Sequence, residues 1–348
     1  MTKYTFHLFG IDDTPSLTCP ESVSLFWMLN SPYCKHLYRQ IEIVFSNNTD
    51  LSPTNTLPLL IVSSPSSSKK NETEKQVSSF YAGFADILQY LLTVKLIKDT
   101  RHFLNDNQDV SFTLDFLAAL QFLCRDFKCM TLYQLYLNKT NYTEFTRKQF
   151  SKLFYWPAWY TAPLKIRSNV QYMCDQTLQL ECLPIDDNET EEGLENGNTN
   201  STHNDVTDSH SLPHEVVNSQ SLRLSLSHKK NKLQDLKSWK HHIQYCNKLV
   251  EMIDDWCTFD TTISDPLRIL ELYLLANLYI QFTLPNGANI ITHLKQSKGD
   301  EWVSKIDNMI RTYSSIENKL SIRKPSFTEQ GNMIMSVYHK LKYYSNYI

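Results

Sequence analysis

The sequence predicts two parts of different class: a first part that mixes strands with helices, and a second part that is entirely helical. Strand-length apolar segments occur at 4–9, 41–45 and 59–62. From about residue 111, apolar residues recur instead at helical spacing. Glycine accounts for only 7 of 348 residues, which argues against an all-β fold with many tight turns. The fold class is therefore α+β followed by α, with ample length for a real core.

The order of elements in the first part is strand, helix, strand, proline-containing turn, strand and helix. The two helices are predicted at 21–29 and 80–97. This is the order of a thioredoxin-like half-domain, in which a cis-proline commonly precedes the third strand. The proline of Leu57-Pro58 stands at that point, so we predict a cis bond there. We assign this domain to residues 1–105, with a polar insertion at 63–79.

The second part is predicted to be an all-helical domain over 106–348. Its helices are expected at 113–127, 142–154, 164–180, 233–258, 266–282, 290–296, 301–319 and 327–344. Asp265-Pro266 is a typical helix start, with an N-cap residue followed by proline in the first turn. Asn286-Gly287 is a typical helix end and turn.

An acidic segment interrupts the helical part between about 183 and 222. From Ser168 to Leu222 there is no lysine or arginine, and eleven acids fall in the same stretch. Its middle is polar and poor in large apolar residues, so it cannot bury enough surface to offset the entropy of ordering. We predict a disordered acidic loop, which either contacts a basic partner or acts as a spacer.

A basic stretch at 223–242 follows the acidic segment directly. Its lysines are Lys229, Lys230, Lys232, Lys237 and Lys240. One interpretation is a solvated helix face. A second is contact with anionic lipid headgroups, and a third is neutralisation by the neighbouring acidic loop. The sequence leaves these alternatives open.

Two groups of residues suggest catalysis, and each also has a plain structural interpretation. Cys19-Pro20-Glu21-Ser22 begins the first helix, where a thiol can have a lowered pKa, but Glu21 would disfavour the thiolate. Ser78 and Ser79 precede the predicted helix at 80–97, where a serine can hold a peptide carboxylate or act as an N-cap. We therefore expect no catalytic residue and no cofactor.

Composition and spacing exclude several other functions. The net charge of −3 is too small to predict nucleic-acid binding, and the eight cysteines contain no CxxC pair, which indicates a reducing compartment. His210 and His214 have i, i+4 spacing but lie in the acidic loop, so we expect no metal site. The long apolar segments 80–96 and 266–284 contain polar residues that are costly in lipid, which predicts core helices and no membrane span.

The densest aromatic segment is KLFYWPAWYTAPLKIR at 152–167, with five rings in seven residues. Its apolar portion of twelve residues contains two prolines and is too short and too broken to span a bilayer. We predict a corner between two helices, the second beginning near residue 164, with Phe154 and one tryptophan in the core. The candidates for contact with a partner or the membrane surface are Tyr155, Trp156, Trp159 and Tyr160.

Several stretches resemble the metaxin family. They are IVFSNNTDLS with LPLLI (43–61), LYQLYLNKTNYTEFTRKQFSKLFYWPAWYTAPLKIRS (132–168), LLANLYIQFTLPNGANI (274–290) and FTEQGNMIMSVY (327–338). They are long, specific and spread over both parts of the chain. The family joins a thioredoxin-like half to a helical half in a glutathione-transferase-like architecture without the catalytic groups. Within it, the chain resembles the fungal, thirty-seven-kilodalton type of metaxin-like subunit of the mitochondrial sorting and assembly machinery.

The resemblance implies a non-enzymatic accessory subunit on the cytosolic face of the mitochondrial outer membrane. Its implied partners are a membrane-embedded β-barrel subunit, a second metaxin-like subunit, a receptor of the outer-membrane translocase, and β-barrel precursor proteins. The implied role is to help these precursors leave the machinery and insert, and to couple the machinery to the general translocase. No catalytic residue carries over, since the family has none.

The same architecture keeps one rival hypothesis open, a glutathione-dependent transferase or thiol reductase that uses Cys19. Against this hypothesis, the end of the first strand reads Phe9-Gly10-Ile11-Asp12 and offers no hydroxyl or thiol to stabilise a bound thiolate. The rival predicts retention on immobilised glutathione.

Overall fold

The computed structural model describes residues 2–52, 54–64, 77–94, 96–97, 114–156, 158–178, 220–262, 268–316 and 319–331. At residues 64, 77–78, 220–231, 233–235, 260–262 and 268 it describes the backbone alone. Met1–Gln179 and Cys246–Ile348 form one compact unit, and Leu180–Tyr245 form a second.

A mixed sheet forms the first part of the first unit. Its described strands are β1 Lys3–Ile11, β2 Thr14–Pro15, β3 Ile41–Ser46, β4 Leu59–Ser64, β5 Val77–Ala82 and β6 Ser321–Arg323. The order is β5-β4-β1-β3-β6, and the short β2 pairs with the end of β1. β1 is parallel to β3 and antiparallel to β4, β5 is antiparallel to β4, and β6 is parallel to β3.

The central strands form where apolar residues follow each other almost without interruption, as expected for strands covered on both faces. Phe6 and Leu8 of β1, Ile43 of β3 and Leu60 of β4 are all fully buried. These three strands confirm the predicted segments at the start of the chain. The bond between Leu57 and Pro58, which leads into β4, is cis as predicted.

Two α-helices accompany the sheet, α1 Pro20–Asn30 and α2 Phe84–Thr93. α1 begins directly after Cys19 with a proline, at a position where the missing N–H costs no helical hydrogen bond. Two short 3-10 helices, Pro32–Leu37 and Thr49–Leu51, flank β3.

The rest of the described chain is largely helical. Its helices are α3 Leu114–Gln121, α4 Lys128–Leu132, α5 Lys139–Asn141, α6 Arg147–Leu153, α7 Ala158–Thr177, α8 Gln220–Thr262, α9 Arg268–Thr283, α10 Gly287–Lys298 and α11 Asp300–Ser314. π-helical turns at Phe122–Phe127, Tyr133–Leu137 and Tyr142–Thr146 make the helix almost continuous over 114–137 and 139–153.

α9 is the central helix of this bundle. Its residues Leu270, Tyr273, Leu275 and Leu278 are fully buried, and it contacts α1, α4, α10 and α11. A helix that is apolar on every side is expected to be covered on every side. The prediction of a core helix in this segment is therefore confirmed over Arg268–Thr283, and its predicted start at Asp265-Pro266 lies outside the described residues. Within the described residues, no helix combines the length and the apolar character that crossing a membrane requires.

A buried amide network, formed by Gln134, Asn141 and Asn286, ties three helical segments together. Asn141 Nδ2 donates to the backbone carbonyl of Gln134 at 3.1 Å, to Gln134 Oε1 at 3.0 Å and to Asn286 Oδ1 at 2.6 Å. Asn286 donates in return from its backbone N–H to Asn141 Oδ1 at 3.2 Å and from Nδ2 to Gln134 Oε1 at 2.9 Å. These hydrogen bonds satisfy the side-chain oxygens of the network, as expected for buried polar groups, whereas the buried Gln134 Nε2 has no hydrogen-bond partner among the described residues.

A second buried group joins α4 to α9 in the same way. Thr131 Oγ1 donates to Asn277 Oδ1 at 2.7 Å and accepts from Gln281 Nε2 at 3.0 Å. All three side chains are fully buried. The two groups connect the LYQLYLNKTN stretch, together with Thr131 directly before it, to the LLANLYIQFTLPNG stretch more than a hundred residues away.

β5 corrects the predicted helix at 80–97. Phe80 lies in this strand opposite Ile61 of β4, and α2 begins only at Phe84. Gly83 separates the two elements with a φ of 84°, a conformation that glycine adopts without steric cost. The apolar pattern of the segment suits a strand and a helix equally, and pairing with β4 decides between them.

The same correction changes two smaller predictions. Ser78 and Ser79 are strand residues, so neither the N-cap nor the carboxylate-binding interpretation applies to them. The polar insertion predicted at 63–79 is shorter than expected, because both of its ends belong to β4 and β5. Residues 65–76 lie outside the described residues.

β6 corrects the prediction of an entirely helical second part. The helix predicted at 301–319 ends at Ser314, and the chain then returns to the sheet beside β3. A strand of three residues is too short to show the alternation of apolar and polar residues by which strands are recognised in a sequence. β6 forms because its backbone pairs with β3 and because Arg323 makes ion pairs with two carboxylates there.

Three further boundaries differ from the prediction. The helix predicted at 327–344 does not begin at Phe327, since 327–329 form a turn, and residues 332–344 lie outside the described residues. α7 begins at Ala158, six residues before the predicted start, and contains Pro163. α8 begins at Gln220, so residues 220–222 are helical and not part of a disordered loop, whose remainder lies outside the described residues.

Candidate interaction surface

The aromatic segment forms a corner between α6 and α7, which we call the aromatic corner, residues 153–160. α6 ends because Phe154 adopts an extended conformation, with φ −127° and ψ 153°, while its N–H still bonds to the carbonyl of Phe150 at 3.0 Å. α7 starts four residues later. The predicted helix–helix corner is therefore confirmed.

The inner side of the aromatic corner is fixed to the sheet. Leu153 is buried against Phe9, Leu57 and Leu59, and Phe154 packs against the same cluster. The Phe154 ring stacks on Phe150 at 5.8 Å between centroids and lies 6.1 Å from the Phe9 ring. This packing confirms the expected inward position of Phe154 and braces the corner.

The outer side of the aromatic corner carries two adjacent rings in solvent. Tyr155 is 80% exposed and Trp156 is 79% exposed. Trp159 and Tyr160 are half-buried; their rings meet edge to face at 6.0 Å, and Arg147 lies over the Tyr160 ring at 5.5 Å. The prediction that one tryptophan enters the core is wrong, since the sheet surface is already filled by Leu153 and Phe154.

The C-terminal segment 321–331, which we call the clasp, is held to β3 by a charged cluster. Arg323 Nη1 and Nη2 donate to the two Glu329 carboxylate oxygens at 2.8 and 2.7 Å, and Arg323 Nε donates to Glu42 Oε2 at 3.1 Å. Burial alone would raise the pKa of Glu329, but hydrogen bonds from Arg323 and Ser326 outweigh burial and lower this pKa to about 2. Burial lowers the pKa of His7, whose Nε2 is 3.9 Å from Glu329, so His7 is neutral at pH 7.

Asn47 connects the clasp to the aromatic corner. Its Nδ2 donates to the backbone carbonyl of Leu153, and its Oδ1 accepts from the backbone N–H of Gly331 at 2.7 Å. A cleft of about 220 Å³ lies beside this link, and its lining includes Tyr155 and Gln330. The sequence stretches around 47, 153 and 331 all belong to the resemblance, but their contact has no signal in the sequence.

Three of the predicted lysines have described side chains on α8. Lys232, Lys237 and Lys240 are exposed there. Two large apolar side chains lie between them, Leu236 and Trp239, each 63% exposed. Lys229 and Lys230 are helical residues whose side chains lie outside the described ones. This part of the chain belongs to the second compact unit.

Cys19 lies at the start of α1, but its surroundings do not favour a thiolate. Its Sγ is 3.3 Å from Ser22 Oγ and donates to the carbonyl of Leu57 at 3.8 Å. Burial, and then the nearby Glu21 carboxylate, raise the pKa of the Cys19 thiol. Glu21 is itself paired with Lys128 at 2.6 Å, which joins α1 to α4. A protonated, partly buried thiol is a weak nucleophile.

The turn before β4 is also occupied by side chains of this chain. Cys19, Leu57 and the aromatic corner pack together there, with Leu153 buried and Phe154 partly buried in one apolar cluster. Among the described residues, no group of histidine, cysteine and carboxylate side chains could hold a metal ion. His210 and His214 lie outside those residues.

Two protein-family models match the chain. The first is described as an outer mitochondrial membrane transport complex protein, Tom37, and matches residues 22–167. The second is the Tom37 C-terminal domain, and it matches residues 197–344. The two models together cover most of the sequence. This chain belongs to the Tom37 family.

The Tom37 family accounts for the metaxin-like resemblance of the sequence. The first Tom37 match includes β3, the cis-proline turn and the aromatic corner. The Tom37 C-terminal match includes α8, α9 and the clasp. No individual curated protein matches the chain. Membership of the Tom37 family makes it an outer mitochondrial membrane transport complex protein.

Proposed function

We propose that the protein is a non-enzymatic accessory subunit of the mitochondrial sorting and assembly machinery, on the cytosolic face of the outer membrane. In this role it helps β-barrel precursors to leave the machinery and insert, and it couples the machinery to a receptor of the general outer-membrane translocase. The Tom37 match supports the transport complex, and the metaxin-like resemblance supports the particular machinery.

We also propose a glutathione-transferase-like fold with a thioredoxin-like domain at 1–105 and a helical domain at 106–348. The order β5-β4-β1-β3, with β1 and β3 parallel and β4 antiparallel to β1, supports the first domain. The cis bond before β4 supports it further. The clasp is an addition to this scheme, because it returns from the helical part to the sheet.

The environment of Cys19 argues for an interaction role over catalysis. A reductase or transferase needs a thiolate or a stabiliser for one, whereas burial and Glu21 keep this thiol protonated. The apolar cluster of the aromatic corner lies against the same turn, where a thiol substrate would have to approach. The rival hypothesis would be supported by glutathione-dependent turnover that is lost in Cys19→Ser.

The observation that carries the proposal is the adjacent pair Tyr155 and Trp156, about four-fifths exposed on a corner that is fixed by buried neighbours. Aromatic side chains are enriched in protein interfaces, and tryptophan and tyrosine are frequent energetic hot spots. A rigid corner presents them without a large entropic cost of ordering. We propose that they contact the second metaxin-like subunit or the membrane-embedded subunit.

The test is affinity purification of the tagged protein from mitochondria, with and without Tyr155→Ser and Trp156→Ser. Loss of two hot-spot rings costs about 2–4 kcal/mol, so recovery of a partner subunit should fall by at least tenfold. The matched control is Tyr172→Ser with Leu114→Ser, which removes two similarly exposed apolar side chains elsewhere. Equal recovery from the variant and the control would exclude the aromatic pair as a contact.

The assembly role has a separate readout. In mitochondria depleted of the protein, imported β-barrel precursors should accumulate on the machinery, and re-addition should restore their insertion. Normal insertion after depletion would contradict the role whatever the aromatic pair does. Deletion of residues 183–219, which leaves α8 intact, then tests whether the acidic segment contacts a basic receptor segment, since a mere spacer would leave recovery of the translocase unchanged.

A further inference from the structure

The exposed face of α8 in the second compact unit combines lysines with large apolar side chains. Four residues lie on one side of the helix because they are separated by four, three and one positions in turn. They are Lys232, Leu236, Trp239 and Lys240. Lys237 lies beside this stripe. We call these five residues the lysine stripe.

The apolar members of the lysine stripe are unusual for a solvated helix. Leu236 and Trp239 are each 63% exposed, and they are neighbours on the helix surface. A solvated face normally carries polar residues at such positions, and tryptophan is highly buried on average. The lysine stripe is therefore suited to covering by a surface that accepts apolar side chains.

The charge of the same stretch indicates which surface this is. Residues 223–242 contain six lysines and arginines and one acid, Asp235. Lysine is depleted in protein–protein interfaces, even though tryptophan is enriched there. Basic helices with tryptophan and leucine on the apolar side instead bind in the headgroup region of anionic bilayers. Lysine stems can lie along apolar surface while their ammonium groups reach the headgroups.

We propose that the lysine stripe docks on an anionic lipid surface, with Leu236 and Trp239 entering the headgroup region and the lysines contacting phosphate. This contact goes beyond the proposed assembly role, which rests on protein partners. It is compatible with a family of outer mitochondrial membrane proteins, and it can fail without affecting the assembly role.

The experiment is co-flotation of the purified full-length protein with vesicles of phosphatidylcholine, with or without phosphatidylinositol. We expect binding to the anionic vesicles that weakens as salt is raised, since the charges on the surface are screened. Reversal of Lys232, Lys237 and Lys240 to glutamate should weaken binding by about fivefold or more per residue. Binding that is equal on neutral and anionic vesicles, or absent from both, would overturn the proposal.

The matched control reverses three exposed lysines on other elements, Lys35, Lys148 and Lys305. It changes the net charge by the same amount, so an effect of overall charge would appear in both variants. The proposal requires that the control retain most of the binding. An equal loss in the two variants would show that no particular face is involved.

Insertion of Trp239 is tested by quenching of tryptophan fluorescence with brominated lipids in the anionic vesicles. Trp239→Phe keeps an aromatic ring but should remove most of the quenching, because the proposal inserts Trp239 and no other tryptophan; Trp156→Phe, at the other highly exposed tryptophan, is the matched control and should leave the quenching unchanged. Unchanged quenching in this variant would contradict the assigned orientation. A further experiment measures binding of an isolated acidic peptide with the sequence 183–222. If this peptide binds saturably and the vesicles do not bind, the lysine stripe contacts acidic protein segments instead of lipid.

Discussion

The amide network and the charged clasp both connect segments that are far apart in the sequence, but they use different chemistry. The amide network consists of neutral side chains, and Asn141 at its centre has no exposed surface. The clasp is held by charged side chains, and about a third of the Arg323 side chain is exposed to solvent. The difference follows from the cost of removing each group from water. Hydrogen bonds can offset this cost for a neutral amide, but they rarely offset it for a fully buried charge.

The comparison separates two kinds of stability. Neutral buried hydrogen bonds should contribute equally at every pH at which the protein folds. An ion cluster near the surface should contribute less, and its contribution should depend on pH and salt. Three substitutions test this distinction.

The largest effect is expected for Asn141→Ala. It removes the hydrogen bonds to Gln134 and leaves Asn286 Oδ1 and the Asn286 backbone N–H without their partner in the network, so the free energy of unfolding should fall by about 2–4 kcal/mol. Urea unfolding at neutral and mildly acidic pH should give the same loss. The control is Asn308→Ala on the exposed side of α11, for which a change below about 0.5 kcal/mol is expected. A strongly pH-dependent loss in Asn141→Ala would contradict the comparison.

A smaller effect is expected for Arg323→Ala. It leaves Glu42 and Glu329 close together without their shared cation, and the expected loss is about 2 kcal/mol because the site is only partly buried. Thermal unfolding at low and high salt measures it, and high salt should reduce the loss. Arg323→Lys keeps the charge but not the bidentate geometry, so it should recover only part of the stability. Full recovery in Arg323→Lys would mean that charge alone holds the clasp.

The smallest effect is expected for Glu329→Gln, and its sign depends on pH. The pKa of Glu329 is about 2 in the folded protein, below the ordinary glutamate value, so the ionised form is stabilised by folding. This stabilisation is complete above about pH 4.5 and is lost as pH falls toward 2. Linkage over this shift alone would give about 3 kcal/mol, but solvent screens the partly exposed ion cluster, so wild type should exceed Glu329→Gln by about 1 kcal/mol at neutral pH, and the difference should vanish at low pH. A difference that stays constant from pH 7 to pH 3 would contradict the role of the charge.

The parts of the fold that could be predicted are those with a strong local pattern. β1, β3 and β4 are apolar runs of strand length, α1 has a clear start at Pro20, and α9 is apolar along most of its length. The cis bond at Pro58 followed from the order of the elements around it. The stretches that resemble the metaxin family lie almost entirely within the residues that the two Tom37 models match.

The candidate surface could be predicted only in part. The corner was placed correctly because two prolines and a helix end are local signals, and Tyr155 was correctly placed outside. Trp159 and Tyr160 are predicted with Tyr155 as candidate contact residues, but they lie at the start of α7 and are half-buried there. Which ring faces water depends on the packing of Leu153 and Phe154 against the sheet, and this is a property of the assembled fold.

The sequence by itself determined the family, the central strands and the core helices, because burial of a continuous apolar run or stripe leaves a pattern within a few residues. Only the tertiary structure decided the identity of β5 and β6, which exist through hydrogen bonds to strands elsewhere in the chain. It also decided that Asn47 joins the clasp to the aromatic corner, since 106 residues separate Asn47 from Leu153. Contacts between distant segments depend on the geometry of the whole fold, and no short stretch of sequence contains that geometry.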